Sequence, residues 1–290
     1  MANSTWTVLE LLRWTQAHFT SKGIETARLD AECLLAHVRG TDRLRLYVDF
    51  DRPVDEAERA RFRELVRRRA TDRVPVAQLT GVREFWSLPL AINRDVLVPR
   101  PETETLVQVA LELAPDPDAE LRVLDVGTGS GAVALALARE RPKARITATD
   151  LSPAALELAR RNAEALSLCE RIHFACGDLY EPVRGERFDL VVSNPPYVAR
   201  GAALPPELAH EPELALFAGA DGLDVLRLLV QDLDAMLEPG GAAAFELAPD
   251  QAGSVERALA AGGFVDVRTT RDLARRPRVV SARRPNPEAG

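Results

Sequence analysis

The segment Asp125-Val126-Gly127-Thr128-Gly129-Ser130-Gly131 joins an apolar strand pattern to a helical one. Glycines at such a junction let the backbone turn tightly and let a ligand approach without Cβ interference. Asp150 closes the next strand pattern, 19 residues past Gly131, where a carboxylate can accept hydrogen bonds from two ribose hydroxyls. Gly177-Asp178-Leu179 follows the third strand, an acid beside an apolar residue that suits the flanks of an adenine. The spacing is G-x-G-x-G rather than the G-x-G-x-x-G of dinucleotide folds. An acid two residues before the first glycine is a feature of loops that hold S-adenosylmethionine, which need cradle no pyrophosphate. Gly127, Thr128, Gly129, Ser130, Gly131, Asp150, Asp178 and Leu179 are the candidate cofactor residues.

A fourth strand pattern, Phe188 to Ser193, ends in Asn194-Pro195-Pro196-Tyr197. Ligands of open α/β sheets bind outside the carboxyl ends of the strands, so these residues face the same crevice, and Asn194 counts toward the cofactor as well. Consecutive prolines fix φ and carry no N–H, which stiffens the turn and leaves carbonyls free to accept. The Asn194 side-chain oxygen and the Pro195 carbonyl can then both accept from one planar NH₂ group, with the Tyr197 ring as a flat face beside it. That arrangement suits methylation of a nitrogen whose lone pair is delocalised. Asn194, Pro195, Pro196 and Tyr197 are the candidate catalytic and substrate-binding residues. The tetrapeptide alone leaves adenine N6 of DNA, guanine of RNA and glutamine of protein open as targets.

The elements that must position these residues fall into two halves. Residues 1–73 read as a small helical bundle. Thr7-x-x-Glu10 opens a first helix with Val8, Leu11, Leu12 and Phe19 at a 3.6 period and Gly23 as its stop. A second helix carries Leu29, Cys33 and Ala36 on one face, a short third runs near Asp42 to Val48, and Asp55-x-x-Glu58 opens a fourth that buries Phe62, Leu65 and Val66. Arg67-Arg68-Arg69 at its end reads as a solvated face complementing the helix dipole, with docking of an acidic partner as the alternative. Residues 74–98 read as a β connector of short pieces, Val74 to Leu79, Phe85 to Leu90 and Asp95 to Val98. Over residues 99–284 strands alternate with helices, the strands being Arg122 to Val126, Arg145 to Thr149, Arg171 to Ala175, Phe188 to Ser193, Ala242 to Leu247, Val265 to Thr269 and Arg278 to Ala282. Such alternation predicts an α/β fold with a mainly parallel sheet. Residues 285–290 are expected to fray.

Composition narrows the classes further. The 290 residues are 46% hydrophobic and 28% charged, an ordinary globular balance. The longest apolar run, Ala132 to Ala138, is far below the ~20 residues of a membrane span. No secretory signal is evident at the start. Cys33, Cys169 and Cys176 lack metal-ligand spacing and His18, His37, His173 and His210 are scattered, so no metal is expected, and a reducing cytoplasm fits. Ser130 lies in no G-x-S-x-G elbow, so a hydrolase is not supported. A net charge of −7 argues against a chain that lives by gripping nucleic-acid phosphates.

Over almost its whole length the chain resembles the HemK family, the protein-(glutamine-N5) methyltransferases, and within it those acting on peptide chain release factors. The residues that carry the likeness are Leu97-Val-Pro-Arg-Pro-Glu-Thr-Glu104, Glu211 to Leu216 followed by Gly219 to Leu223, Glu246 with Gln251, and Arg271 to Ala274 with Arg278 to Val280. Ala248 and Arg275 stand where the family tends to have Gly, and Leu179 where some members have an aromatic. The resemblance implies a Rossmann-like class I S-adenosylmethionine-dependent methyltransferase domain with a seven-stranded sheet, preceded by the bundle and a β-hairpin connector. It implies methyl transfer to the glutamine of the Gly-Gly-Gln motif of class I release factors, with the extra domain gripping the release factor and no nucleic acid or membrane required. A glutamine of a ribosomal protein and, further off, N6-adenine are the alternative targets.

Overall fold

The computed structural model describes residues 6–287. The chain forms two compact units: residues up to Val82 together with Pro205–His210, and Arg83–Leu204 together with the chain from Glu211 onward.

The first unit is helical, with α1 (Val8–Ser21), α2 (Ala27–Arg39), α3 (Arg43–Val48), α4 (Glu56–Ala70) and α5 (Val76–Thr80). Both expected capping boxes are present: Thr7 and Glu10 satisfy each other's amides ahead of α1, and Asp55 and Glu58 do so ahead of α4. The core gathers Phe19, Leu34, Leu35, Phe62 and Val66. In α2 the buried stripe is Ala27, Ala31, Leu34, Leu35 and Val38. Leu29 is 41% exposed and Cys33 half-buried, so of the expected face only Ala36 is in the core. The stretch expected as a strand from Val74 to Leu79 is instead the helix α5, started behind Pro75 and stopped by Gly81 in the left-handed region.

Arg69 is neither solvated nor available for docking. It is buried, with Nε 2.7 Å from Asp30 and Nη1 2.9 Å from Glu207. Arg73 reaches the same Glu207 oxygen at 2.7 Å. A His210 ring nitrogen lies 2.6 Å from the Asp72 carbonyl, and Gln78 Nε2 donates to the His210 carbonyl at 2.9 Å. The segment Pro205–His210 is thus held into the helical unit by charge and by hydrogen bonds from side chains to backbone carbonyls.

The second unit opens on the hairpin of β1 (Val82–Phe85) and β2 (Leu88–Ala91). Its turn is Trp86-Ser87, both at positive φ, which splits the piece expected as one strand from Phe85 to Leu90. Asp95 to Val98 is irregular, beginning at an Asx turn in which the Asn93 side chain accepts from the Asp95 amide at 2.9 Å. There follow α6 (Glu104–Leu113), β3 (Arg122–Val126), α7 (Ala132–Glu140), β4 (Arg145–Asp150), α8 (Pro153–Ala165), β5 (Ile172–Cys176), β6 (Phe188–Ser193), α9 (Asp224–Gln231), α10 (Leu233–Met236), β7 (Leu237–Glu246), α11 (Ala252–Ala261), β8 (Val265–Arg271) and β9 (Pro277–Arg283). The seven strands β3 to β9 form one sheet in the order β5-β4-β3-β6-β7-β9-β8, with only β9 antiparallel to its neighbours. Strand order reverses between β3 and β6, the switch point at which such sheets bind ligands. The apolar run from Ala132 is buried on every side in α7, which explains why it carries no polar face. Arg275, where the family tends to have Gly, takes φ +61 at the β8–β9 turn, a conformation that glycine adopts without strain. No helix among the described residues is long and apolar enough to cross a membrane. Of the tail expected to fray, 285–287 carry no regular structure and 288–290 lie outside the described residues.

Removing the Arg69 guanidinium leaves buried Asp30 without its partner and Glu207 with Arg73 alone. Arg69→Met should lower the stability of the helical unit by about 3–5 kcal/mol, read as a lower urea midpoint. A midpoint within error of wild type would show that these ion pairs do not hold the unit together.

Candidate active site

The sheet register sets the site. Ala175, Thr149, Val126, Ser193 and Phe245 pair across β5, β4, β3, β6 and β7 at one level. One residue further along, that row becomes Cys176, Asp150, Gly127, Asn194 and Glu246. Four of the expected loops therefore begin at the same height: the glycine loop, the Asp150 turn, Gly177-Asp178-Leu179 and the Asn194 turn.

They border a cavity of about 220 Å³, many times the ~30 Å³ of a water molecule and so shaped for an organic ligand. Gly127, Thr128, Gly129, Ser130, Asp150, Asp178, Leu179, Asn194, Pro195 and Pro196 all line it. Gly131 and Tyr197 do not. Gly131 has φ +84, and a Cβ there would meet Leu135 Cδ1 at 3.1 Å and Ala159 Cβ at 3.2 Å, so this glycine serves the packing of α7 on α8. Gly127 and Gly129 also lie at positive φ, but at either position a Cβ would meet no atom within 4 Å. Both line the cavity, and that open space lets a ligand approach their backbone closely.

Asp150 accepts from the Gly129 amide at 2.8 Å and the Ser152 amide at 2.9 Å, one on each oxygen. Each oxygen keeps a lone pair for a hydroxyl. Burial nonetheless raises its pKa. Asp125 is fully enclosed; it accepts from the Thr128 hydroxyl at 2.7 Å and the Ala134 amide at 3.1 Å, and so fixes the glycine loop against α7. Burial pushes its carboxyl up to about 6. Asn162, buried on α8, donates to the Ser130 carbonyl and pairs with both backbone groups of Ala91, which ties the loop to the hairpin.

Around Asn194 the sequence missed the supporting residues. Asn194 Nδ2 donates to the Thr103 hydroxyl at 3.2 Å, across 91 residues of chain. The donor side of the amide is thereby engaged and its oxygen is left to accept. Gln251 Nε2 donates to the Tyr197 carbonyl at 2.9 Å and to the Gly222 carbonyl at 3.1 Å. Gly222 is at φ +76, and a Cβ there would come within 2.3 Å of the Tyr197 carbonyl oxygen. The tetrapeptide is thus braced from behind by backbone that only glycine permits. Arg100 grips buried Glu211 through both oxygens, at 2.6 and 2.7 Å, just ahead of Pro212, Leu214 and Ala215 on the cavity wall.

Among the described residues the lining carries four aspartates, at 95, 125, 150 and 178, and no lysine, arginine or histidine. A pyrophosphate would bring negative charge among carboxylates with no cation to meet it. A ligand that joins a sulfonium and an ammonium to an adenosine fits the same donor set. The open space at Gly127 and Gly129 gives its backbone approach, and Asp150 its hydroxyl acceptor.

The strand order, the switch point and a cleft of this charge define a class I S-adenosylmethionine-dependent methyltransferase. A family model described as the PrmC N-terminal domain matches residues 10–81, and one described as the methyltransferase small domain matches residues 103–212. The release factor glutamine methyltransferase of Rhodopirellula baltica is 43% identical over 288 residues, covering 96% of this chain and 97% of that one. That of Burkholderia pseudomallei is 47% identical over 267 residues, covering 89% and 92%. A solved T. thermophilus 16S rRNA N2 G1207 methyltransferase, in complex with AdoMet and guanosine, is alike in fold with a TM-score of 0.52 at 23% identity, over 70% of this chain and 49% of that one. The chain belongs to the release factor glutamine methyltransferase family.

Asp125 gives the site a pH signature. A carboxyl whose pKa is raised on folding holds its proton more tightly in the native state. Its stabilising contribution is complete below an unfolded value of about 3.9 and is lost as pH rises through about 6. The stability of wild type relative to Asp125→Asn should therefore fall from about pH 4 to about pH 6 and then level off. Denaturant titrations at stepped pH measure it, and a difference that rises over that window contradicts the assignment.

Proposed function

We propose that the chain transfers the methyl group of S-adenosylmethionine to the side-chain amide nitrogen, N5, of the glutamine in the Gly-Gly-Gln motif of class I release factors, in the cytoplasm and with no nucleic acid or membrane required. The observation that carries this reading is the state of Asn194. With its NH₂ given to Thr103, its oxygen and the Pro195 carbonyl remain as acceptors at the cavity wall. Two acceptors on a rigid turn match the two N–H groups of one primary amide. The likeness to release factor glutamine methyltransferases over 96% of the chain supports the same choice.

The roles of the residues follow. Gly127, Thr128, Gly129, Ser130, Asp150, Asp178 and Leu179 hold the cofactor, which supplies when bound an electrophilic methyl group on a positively charged sulfur. Asn194 and Pro195 take both amide protons as hydrogen bonds, which directs the nitrogen lone pair away from the turn and favours the positive charge that grows there. Pro196 holds the turn rigid, and Tyr197 closes it from the side. Burial pushes the Tyr197 hydroxyl up to about 12, so it stays protonated and can donate. The departing proton need not be removed before attack, so no general base is required at the amide.

Mass spectrometry of purified release factors incubated with enzyme and S-adenosylmethionine tests the proposal. A single added methyl on the Gly-Gly-Gln glutamine is expected; methylation of a ribosomal protein or of DNA in its place would overturn it. Asn194→Ala should reduce turnover ~10²–10³-fold at saturating cofactor. Asn194→Asp keeps acceptors but loses the donor to Thr103, so it should fall well below wild type too. Turnover near wild type in Asn194→Ala would remove Asn194 from the mechanism. Asp150→Ala should weaken S-adenosylmethionine binding by about 1.5–3 kcal/mol in calorimetry, and unchanged affinity would take Asp150 out of the site.

A further inference from the structure

Glu246 ends β7 at the level of Asn194, since Ser193 pairs with Phe245. Its side chain is fully buried, and it does not line the cofactor cavity. The Tyr197 hydroxyl donates toward Oε1 at 3.5 Å, while Oε2 has no hydrogen-bond partner among the described residues. The Thr103 hydroxyl, which accepts from Asn194, also acts on this carboxyl. Arg278 is the cation that faces it, but that guanidinium is spent on Asp272 and on the Leu247 carbonyl. Glu102 faces it as a second acid. A carboxyl with no cation of its own is a costly thing to enclose, and burial pushes it up to about 7. A residue needed only to fill space at the end of a sheet strand has no reason to be an acid. Within its reach are groups at both ends of the tetrapeptide: the Tyr197 hydroxyl, by the hydrogen bond above, and the Thr103 hydroxyl that holds Asn194.

We propose that Glu246 is a positioning residue, whose buried carboxyl is the common anchor for the Tyr197 hydroxyl and the Thr103–Asn194 pair and so holds the two sides of the substrate-amide site in fixed relation. The proposal rests on the reading of Asn194 and Pro195 as acceptors for the substrate amide. Glu246 itself touches neither substrate nor cofactor. Its effect is to keep the Asn194 amide from rotating and the Tyr197 ring from tilting while the methyl group is transferred. A misplacement on the ångström scale at a reacting centre costs on the order of 100-fold in rate.

Three variants of the whole chain test this. Glu246→Leu removes both acceptor oxygens, Glu246→Gln keeps one at nearly the same volume, and Thr103→Val cuts the link to Asn194 alone. S-adenosylmethionine affinity by calorimetry should be unchanged in the two Glu246 variants, whose side chain does not line the cofactor cavity. In Glu246→Leu, kcat on a release factor should fall on the order of 100-fold with KM little changed, and Glu246→Gln should recover most of that loss. Hydrogen–deuterium exchange of the Asn194, Tyr197 and Val198 amides should quicken in Glu246→Leu and stay near wild type in Glu246→Gln. Should Glu246→Leu fail to fold, Thr103→Val carries the test, with a fall in kcat at saturating cofactor expected. The proposal is overturned if Glu246→Leu or Thr103→Val keeps wild-type kcat, or if Gln and Leu are equally impaired in both kcat and exchange. The exchange measurement needs no substrate. An inactive wild type would strike the functional reading, while unchanged exchange in Glu246→Leu would strike this one.

Discussion

Val126 pairs with Thr149 on one side and with Ser193 on the other, and the chemistry of the molecule hangs on those two pairings. They place Asp150, Gly127 and Asn194 one step beyond the same level of the sheet, so three loops distant in sequence open on one crevice. Because side chains alternate along a strand, a slip of one residue in either pairing would turn the terminal residue to the other face. Hydrogen bonds at the strand ends guard against it. The Gly127 and Thr128 amides both donate to the Thr149 carbonyl, at 2.8 and 2.9 Å, and the Ser193 hydroxyl donates to the Val126 carbonyl at 2.7 Å. The side chain of Ser193 thus serves the register where the next residue serves the site.

The cleft that results is selective through charge as much as through shape. Four aspartates without a cation make it hostile to phosphate and hospitable to a positively charged ligand. Two of those acids have a structural use as well: Asp125 pins the glycine loop to α7, and Asp150 takes the Gly129 amide. Holding the loop with carboxylates leaves their remaining lone pairs and their field directed at whatever lies in the cavity. On the opposite side two neutral groups, Gln251 and the Thr103 hydroxyl, brace the tetrapeptide by hydrogen bonds.

Much of this was readable from the sequence, for a physical reason. A strand buried on both faces must be a run such as Leu190-Val191-Val192, and a glycine loop between such a run and a helix has few other uses, so the sheet and the cofactor edge are local signals. The β7 strand starts earlier than its apolar pattern because Pro239, Gly240 and Gly241 hide it. Val74 to Leu79 has the composition of a strand, and tertiary packing turned most of it into α5. The hairpin turn at Trp86-Ser87 lacks the glycine or asparagine that announces positive φ. Arg69 sits in a run of three arginines, and nothing local says that one of them is buried. Thr103, Gln251 and Glu246 act across the fold, on partners 49 to 91 residues away, and no spacing rule reaches that far. Their trace in the sequence was membership of family segments, not chemistry.

The segment Pro205–His210 belongs to the helical unit although it is encoded after most of the sheet. The consequence is one of order in time. A chain emerging from the ribosome presents α1 to α5 first, yet Arg69 and Arg73 then lack Glu207 and Asp72 lacks His210. Residues 83–204 must be made before those partners arrive, which at ~5–20 residues per second takes on the order of ten seconds. During that interval the bundle is an unfinished body whose positive charge is only partly compensated. Its completion coincides with synthesis of the stretch just past the Asn194 turn, while β7, β8 and β9 are still to be made, so the helical unit closes in the middle of the other unit's synthesis.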